Sequence, residues 1–225
     1  AGNEKVIRPR LADAAFFYDN DCKKSLRQHA EGLAKIVFQQ QLGTLQEKSD
    51  RIGNLAVTIA EKIGGDESAA HLAGQLCKAD LTSEMVSEFD TMQGVMGYYL
   101  AKNEGAPEDF AQALFEQYLP RFAGDSLPRT KTGQAVSLAD KIDTLVGIFG
   151  IGQTPTGTKD PYALRRATLG ILRIIIENGL ALDLRELLEQ AAARLEGRID
   201  AARVDEGVAG GQRDRRAGPT AHVAE

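Results

Sequence analysis

From Asp50 onward, apolar residues fall at Ile52, Leu55, Ala56, Ile59, Ala60 and Ile63, the i, i+3, i+4, i+7, i+8, i+11 spacing that an α-helix gathers onto one face. Gly64-Gly65 then stops the helix. The same spacing returns at Ala135, Leu138, Ala139, Ile142, Leu145, Val146 and Phe149, ended by Gly150 and Gly152. Between them, residues 67–89 carry Ala69, Ala70, Leu72, Ala73, Leu76, Cys77, Met85, Val86 and Phe89, a helical run expected to bend near Asp80-Leu81-Thr82. Asp160-Pro161 has the form of an N-cap followed by proline at the first helical position, and predicts a helix through about Glu177, closed by Asn178-Gly179. Asp183 predicts a cap for another helix, with Leu184, Leu187, Leu188, Ala191 and Leu195 on one side. Strand signals are few: Val6–Leu11 reads as a short edge strand interrupted by Pro9, and residues 35–42 fit either a helix end or a strand. The expected class is all-α with a minor extended element near the start.

Composition narrows the chemistry. A chain of 225 residues, 43% hydrophobic and 26% charged, is one globular domain or two small ones, and one this long buries roughly 70% of its unfolded surface without a metal or disulfide staple. Two cysteines, Cys22 and Cys77, without a CxxC pair, exclude a disulfide scaffold and a four-ligand zinc site. Apolar runs such as Ile174-Ile175-Ile176 fall far below the roughly 20 residues of a bilayer span. The opening AGNEKVIRPR lacks the apolar stretch of a secretion signal, so a reducing cytoplasm is the expected compartment.

A net charge of -5 argues against a coat of basic residues for DNA or for non-specific nucleic-acid binding. That charge is uneven. Residues 80–125 hold nine acids against Lys102 and Arg121, whereas residues 155–175 hold Lys159, Arg165, Arg166 and Arg173 against Asp160. An anionic ligand is expected at the second stretch. From Arg194 on, six arginines are scattered among acids and small residues without an apolar stripe, and a disordered tail is expected beyond about Ala202.

Catalytic motifs are thin. Gly152-Gln-Thr-Pro-Thr-Gly157-Thr158-Lys159 approaches the phosphate-cradling GxxxxGK[ST], but Thr158 separates the second glycine from the lysine, and the stretch follows a helical stripe instead of a buried strand. His29, His71 and His222 lie in no HExxH or GxSxG context, and Cys77 falls on the apolar side of a helix. Asp140 and Asp143, one turn apart, and Asp80 could hold a metal or move protons, although pairing with lysines such as Lys141 is the commoner fate.

The phrases CKADLTSEMVSEFDTMQGVMGYY (77–99), EQYLPRFAGDSLP (116–128), SLADKIDTLVGIFGIGQTPTGTKDPYALRRATLGILRIIIE (137–177) and VIRPRLADAAFFYDND (6–21) resemble the beta subunit of the bacterial two-subunit glycyl-tRNA synthetase. The similarity runs from about Asn3 to about Ala193; past Arg194 the chain departs from the family pattern, as the foreign end of a gene fragment would. The resemblance implies an internal piece of a longer subunit: a connecting segment at 1–45, a helical domain at 46–193 and an atypical tail at 194–225. It also implies a degenerate HD domain, the phosphohydrolase scaffold whose metal is held by histidines and aspartates. Cys77 and Lys78 would stand at the His-Asp pair, close to Asp80, and Asp140 at the distant aspartate. With a lysine in place of a ligand, no bound metal and no catalytic residue are expected in this chain.

By the same resemblance, ATP and magnesium belong to the alpha subunit, which activates glycine in an alpha2-beta2 tetramer, while the beta subunit contributes binding of tRNA(Gly). Lys159, Arg165, Arg166 and Arg173 are then the candidate RNA contacts, extended by Arg8 and Arg10, with Tyr98, Tyr99 and Tyr162 available to stack on bases. The competing readings are internal pairing of Arg165 and Arg166 with the acidic segment, a purely architectural helical domain, and an active metal-dependent HD phosphohydrolase.

Overall fold

A computed structural model describes residues 2–200. Ten helices, α1 (Gly2–Asp21), α2 (Leu26–Glu31), α3 (Leu45–Ile63), α4 (Glu67–Leu76), α5 (Glu84–Glu88), α6 (Val95–Asn103), α7 (Glu108–Glu116), α8 (Lys131–Gly150), α9 (Leu164–Glu177) and α10 (Leu184–Ala193), account for most of them. Single 3-10 turns at Gly32–Lys35, Ala79–Thr82 and Asp90–Met92 link some of these. The extended element is an antiparallel pair, β1 (Val37–Gln39) and β2 (Gly43–Thr44). The all-α class holds, and residues 35–42 resolve into a turn and a strand.

Local chemistry explains the helix ends. Thr44 and Glu47 form a reciprocal capping box on α3, and Gly64, at φ 66°, ends it in the left-handed conformation that glycine adopts without a Cβ clash. Thr130 caps α8 through the Gly133 amide, and Asp183 caps α10 as its sequence predicts. The bend near Asp80 is the turn Ala79–Thr82, followed at once by Ser83 as the cap of α5.

α8 is the hub. α3, α4, α7, α9 and α10 all pack on it, and sixteen of its twenty residues are buried, polar and apolar alike. A helix buried on all sides must be central. α3 and α4 approach closely where Gly53 faces Gly74: a Cβ at Gly74 would lie 2.5 Å from the Gly53 Cα. The core continues into residues 194–200, where Leu195 is fully buried and Arg198 donates to the Leu42 carbonyl at 3.0 Å. The tail expected beyond Ala202 lies outside the described residues.

Two sequence expectations are corrected. Val6–Leu11 is helix, not an edge strand: Ile7, Leu11, Ala14 and Tyr18 recur at helical spacing, and part of this face packs on α5. Pro9 removes one backbone hydrogen bond from the helix without ending it. Asp21, buried at the end of α1, accepts the Glu84 and Met85 amides at 2.9 Å each and so caps α5 from across the fold. Second, α9 starts at Leu164 and not at Pro161. Ala163 takes a left-handed conformation (φ 53°), and Asp160 reaches forward to the Leu164 and Arg165 amides at 2.8 and 3.0 Å. A carboxylate that satisfies two amides from four and five residues away leaves Pro161 and Tyr162 in a turn.

The α3–α4 crossing is testable. Gly74→Ala forces a methyl against backbone and is expected to destabilise the fold by about 1–3 kcal/mol, read as a lower urea midpoint. Ala73, one residue away, is fully buried yet already carries a Cβ, so the demand for glycine is local to the crossing point.

Candidate functional site

Of the residues named from sequence as metal positions, Lys78 and Asp140 meet in a buried cluster between α3, α4, α7 and α8. Lys78, just past the end of α4, donates to Asp140 Oδ2 and Gln117 Oε1, both at 2.7 Å, and stands 4.6 Å above the Tyr118 ring. Its ammonium therefore lies where a cation would bind the Asp140 carboxylate. From α3, Lys48 Nζ approaches the other oxygen, Oδ1, at 3.0 Å, and also meets Asp143 at 3.0 Å and Thr144 at 2.7 Å. Arg51 grips Asp143 with two nitrogens at 2.6 and 3.2 Å and reaches the Leu42 carbonyl with a third.

Both aspartates are paired with lysines, but with Lys48 and Lys78. Lys141, adjacent in sequence, points the other way and donates to the Gln117 and Leu119 carbonyls and to Ser137. Cys77 is buried with its thiol toward the Gly74 carbonyl. Asp80, 1% exposed, turns from this cluster to accept the Gly94 and Gly97 amides at the start of α6.

Proton affinities follow from these contacts. Burial pulls the Lys78 ammonium down, yet Asp140 and its other neighbours outweigh burial and hold its pKa above the ordinary lysine value. Burial likewise raises Asp140, but Lys78 and Lys48 prevail and hold the carboxyl well below the usual range. Burial pushes the Cys77 thiol up to about 12, which leaves it protonated and unreactive near neutrality. Asp80 is raised by burial, partly opposed by its two amides. Burial lowers Lys141 to about 8, against the partial opposition of Asp140.

This donor set does not fit a metal ion. Among the described residues no three His, Cys, Asp or Glu side chains converge as ligands, and the Asp140 oxygens face two ammonium groups. Lys48, Arg51 and Gln117 were not singled out in the sequence as parts of this cluster. A signal existed for the first two: Lys48 and Arg51 continue the apolar stripe of Ile52, Leu55 and Ile59 back by a turn, so their charges needed buried partners.

The candidate RNA contacts are dispersed. Lys159 is exposed in a tight turn whose backbone pairs with Thr156. This turn follows a helix, so the phosphate-loop geometry is absent there. Arg165 is exposed, and the amides of its helix end are taken by Asp160. Arg166 donates to the Arg121 carbonyl at 3.2 Å; Arg173 binds Glu177 at 2.7 Å and the Asp125 carbonyl at 3.1 Å. Both arginines thus meet the acidic segment through its carbonyls. Arg8 and Arg10 are exposed on α1, which packs on α5; Arg10 lies 4.8 Å over the Phe89 ring and Arg8 has a contact of its own. The three tyrosines all meet protein rings: Tyr98 with Tyr99, Tyr99 with Tyr18, and Tyr162 with Phe38. No helix among the described residues is long and apolar enough to cross a membrane.

A family model described as glycyl-tRNA synthetase beta subunit matches residues 1–216. The chain belongs to that family. It is 61% identical over 193 residues to the glycine–tRNA ligase beta subunit of Chromohalobacter salexigens, covering 86% of this chain and 28% of that protein. It is 57% identical over 208 residues to the beta subunit of Azotobacter vinelandii, covering 92% of this chain and 30% of that protein. The chain therefore spans under a third of the length of these beta subunits. The family match also runs past Arg194, where the sequence was expected to depart from the pattern.

Two measurements probe the cluster. Lys78→Met leaves Gln117 and one Asp140 oxygen without their buried donor and is expected to cost about 3–5 kcal/mol of unfolding free energy in urea titrations. Lys141 holds its proton less tightly folded than unfolded, so its protonated form lowers stability, and that penalty disappears as pH rises from about 8 toward the unfolded value of ~10.4. Stability of the unsubstituted chain, relative to Lys141→Met, is expected to rise by up to about 3 kcal/mol across that window.

Proposed function

We propose that this beta-subunit segment is a non-catalytic, helical part of glycine–tRNA ligase that supports tRNA binding and subunit architecture while glycine is attached to tRNA(Gly). The observation that carries the non-catalytic part is the Lys78–Asp140 pair, which sets an internal ammonium against the carboxylate that a metal would need. The protonated Cys77 thiol offers no nucleophile in its place. ATP-dependent activation, with its magnesium, then belongs to the alpha subunit, in an alpha2-beta2 assembly of the cytoplasm. A degenerate HD domain is the parent scaffold in this reading, kept for its helix packing and without hydrolase chemistry.

For tRNA, the basic end of α9 is the favoured contact: Lys159 and Arg165 are both exposed and lie away from the acidic stretch 80–125 in sequence. Phosphates would meet their side chains and not the helix amides, which Asp160 already occupies. A second, architectural reading draws on Arg166, Arg173 and Arg10, whose guanidinium groups are engaged with carbonyls, a carboxylate and an aromatic ring inside the fold.

The two readings separate in the complete two-subunit enzyme. With Lys159→Ala and Arg165→Ala together, tRNA affinity is expected to fall and the slope of log affinity against log salt to flatten by about 2, roughly one unit for each phosphate no longer neutralised. Unchanged affinity and slope, with charging intact, would select the architectural reading.

A further inference from the structure

The last four carbonyls of a helix have no partner within it. At the end of α8 the chain just beyond supplies donors to three of them: Ile151 to the Gly147 carbonyl at 3.1 Å, Gln153 to Ile148 at 3.0 Å and Gly152 to Phe149 at 2.8 Å. The remaining one, on Gly150, accepts the Asp200 amide at 3.0 Å, from the segment that follows α10. Residues 194–200 also lie against this helix end through their apolar side chains. Leu195 is fully buried next to Gly147, and Ile199 rests so closely on Gly150 that a Cβ there would lie 2.5 Å from the Ile199 Cβ. Arg198 reaches toward α3 instead, donating to the Leu42 carbonyl at 3.0 Å and to Glu47 Oε1, in the carboxylate of the α3 capping box, at 2.5 Å. The segment thus grips two elements at their roots: the hairpin β1–β2, which leads into α3, and the loop 151–163, which leaves α8. Hairpin and loop meet in turn through Phe38 and Tyr162, whose rings lie edge to face 6.4 Å apart.

We propose that residues 194–200 are a strap that sets the position of loop 151–163, with Ile199 and Arg198 as its positioning residues, and that the strap thereby fixes where Lys159 is presented to RNA. The presentation of Lys159 rests on the tRNA reading above; the strap does not. Bonds inside the loop shape it without placing it: Thr156 pairs with Lys159, and Asp160 turns forward to the head of α9. Its place in the fold comes from the end of α8, where Ile199 and the Asp200 amide hold Gly150, and from Tyr162 on the hairpin, which Arg198 holds at Leu42. Both anchors of the loop therefore run through the same short segment. Core filling accounts for Leu195, which is buried, but not for Arg198, whose side chain is 40% exposed. An exposed ion pair adds little to stability. A planar guanidinium that spans a hairpin carbonyl and a helix cap does fix direction, because its donors are set at fixed angles.

Gly150→Ala tests the strap from the α8 side. Alanine suits a helix better than glycine does, so loosening after this change comes from the displaced Ile199. In the 225-residue chain, amide hydrogen exchange at residues 37–44 and 151–163 is expected to rise on the order of tenfold, with α4, α6 and α7 unchanged. Arg198→Ala should give the same pattern from the hairpin side. Unchanged exchange in either variant overturns the proposal, and so does a uniform rise across all helices, the mark of lost stability alone. In the complete two-subunit enzyme, Gly150→Ala is expected to weaken tRNA binding at least about fivefold, and to have no further effect on a Lys159→Ala background. No loss, or an equal loss on both backgrounds, overturns the positioning of Lys159. If Lys159→Ala with Arg165→Ala leaves tRNA binding unchanged, the tRNA reading fails by itself and the exchange measurement alone decides the strap.

Discussion

The contact on which this fold depends is the meeting of Lys48 and Lys78 on the two oxygens of Asp140, at 3.0 and 2.7 Å. α8 runs through the middle of the molecule, and nearly every position along it is covered by another helix. Such a helix can contain Ser137, Lys141 and Asp143 only if each finds a partner, because an unpaired buried charge costs several kcal/mol. The partners come from α3 through Lys48 and Arg51, from the turn after α4 through Lys78, and from the end of α7 through Gln117 and the Leu119 carbonyl. Each pairing fixes one neighbour of α8 in rotation and register. Apolar packing alone would tolerate small slips that these directional contacts do not.

The same arrangement limits chemistry in the interior. Ammonium groups take the carboxylate oxygens, the Cys77 thiol stays protonated, and Asp80 serves as a helix cap for α6. What remains for recognition is the surface, above all α9, where basic and aliphatic residues share one exposed side. The buried carboxylates and ammonium groups hold the helices together.

The helices themselves were legible because burial on one face imposes a period on the sequence: the stripes of α3 and α8, the Gly64 stop and the Asp183 cap all appear where their residues predict. Two starts differ for local reasons. At Val6–Leu11 a six-residue window gives Pro9 too much weight, whereas the helical spacing of Ile7, Leu11, Ala14 and Tyr18 needs a longer stretch to be seen. At Asp160-Pro161 the capping residue is correct, but its side chain acts from farther away, around the left-handed Ala163. Asp140 and Asp143 are recognisable as a pair needing cations. Their true partners are far away in the chain, and no local spacing distinguishes Lys78 from Lys141.

By itself the sequence determined the class of fold and the family, because helical periodicity and long shared phrases are properties of the residues in order. Only the tertiary structure decided which charges neutralise one another, that Asp160 closes the amide end of α9, and that Arg166 and Arg173 brace a loop while Leu169, Leu172 and Ile176 face outward. The reason is physical. Ion pairs, caps and exposed faces depend on distances between elements remote in sequence, and those distances are set when the helices pack around α8.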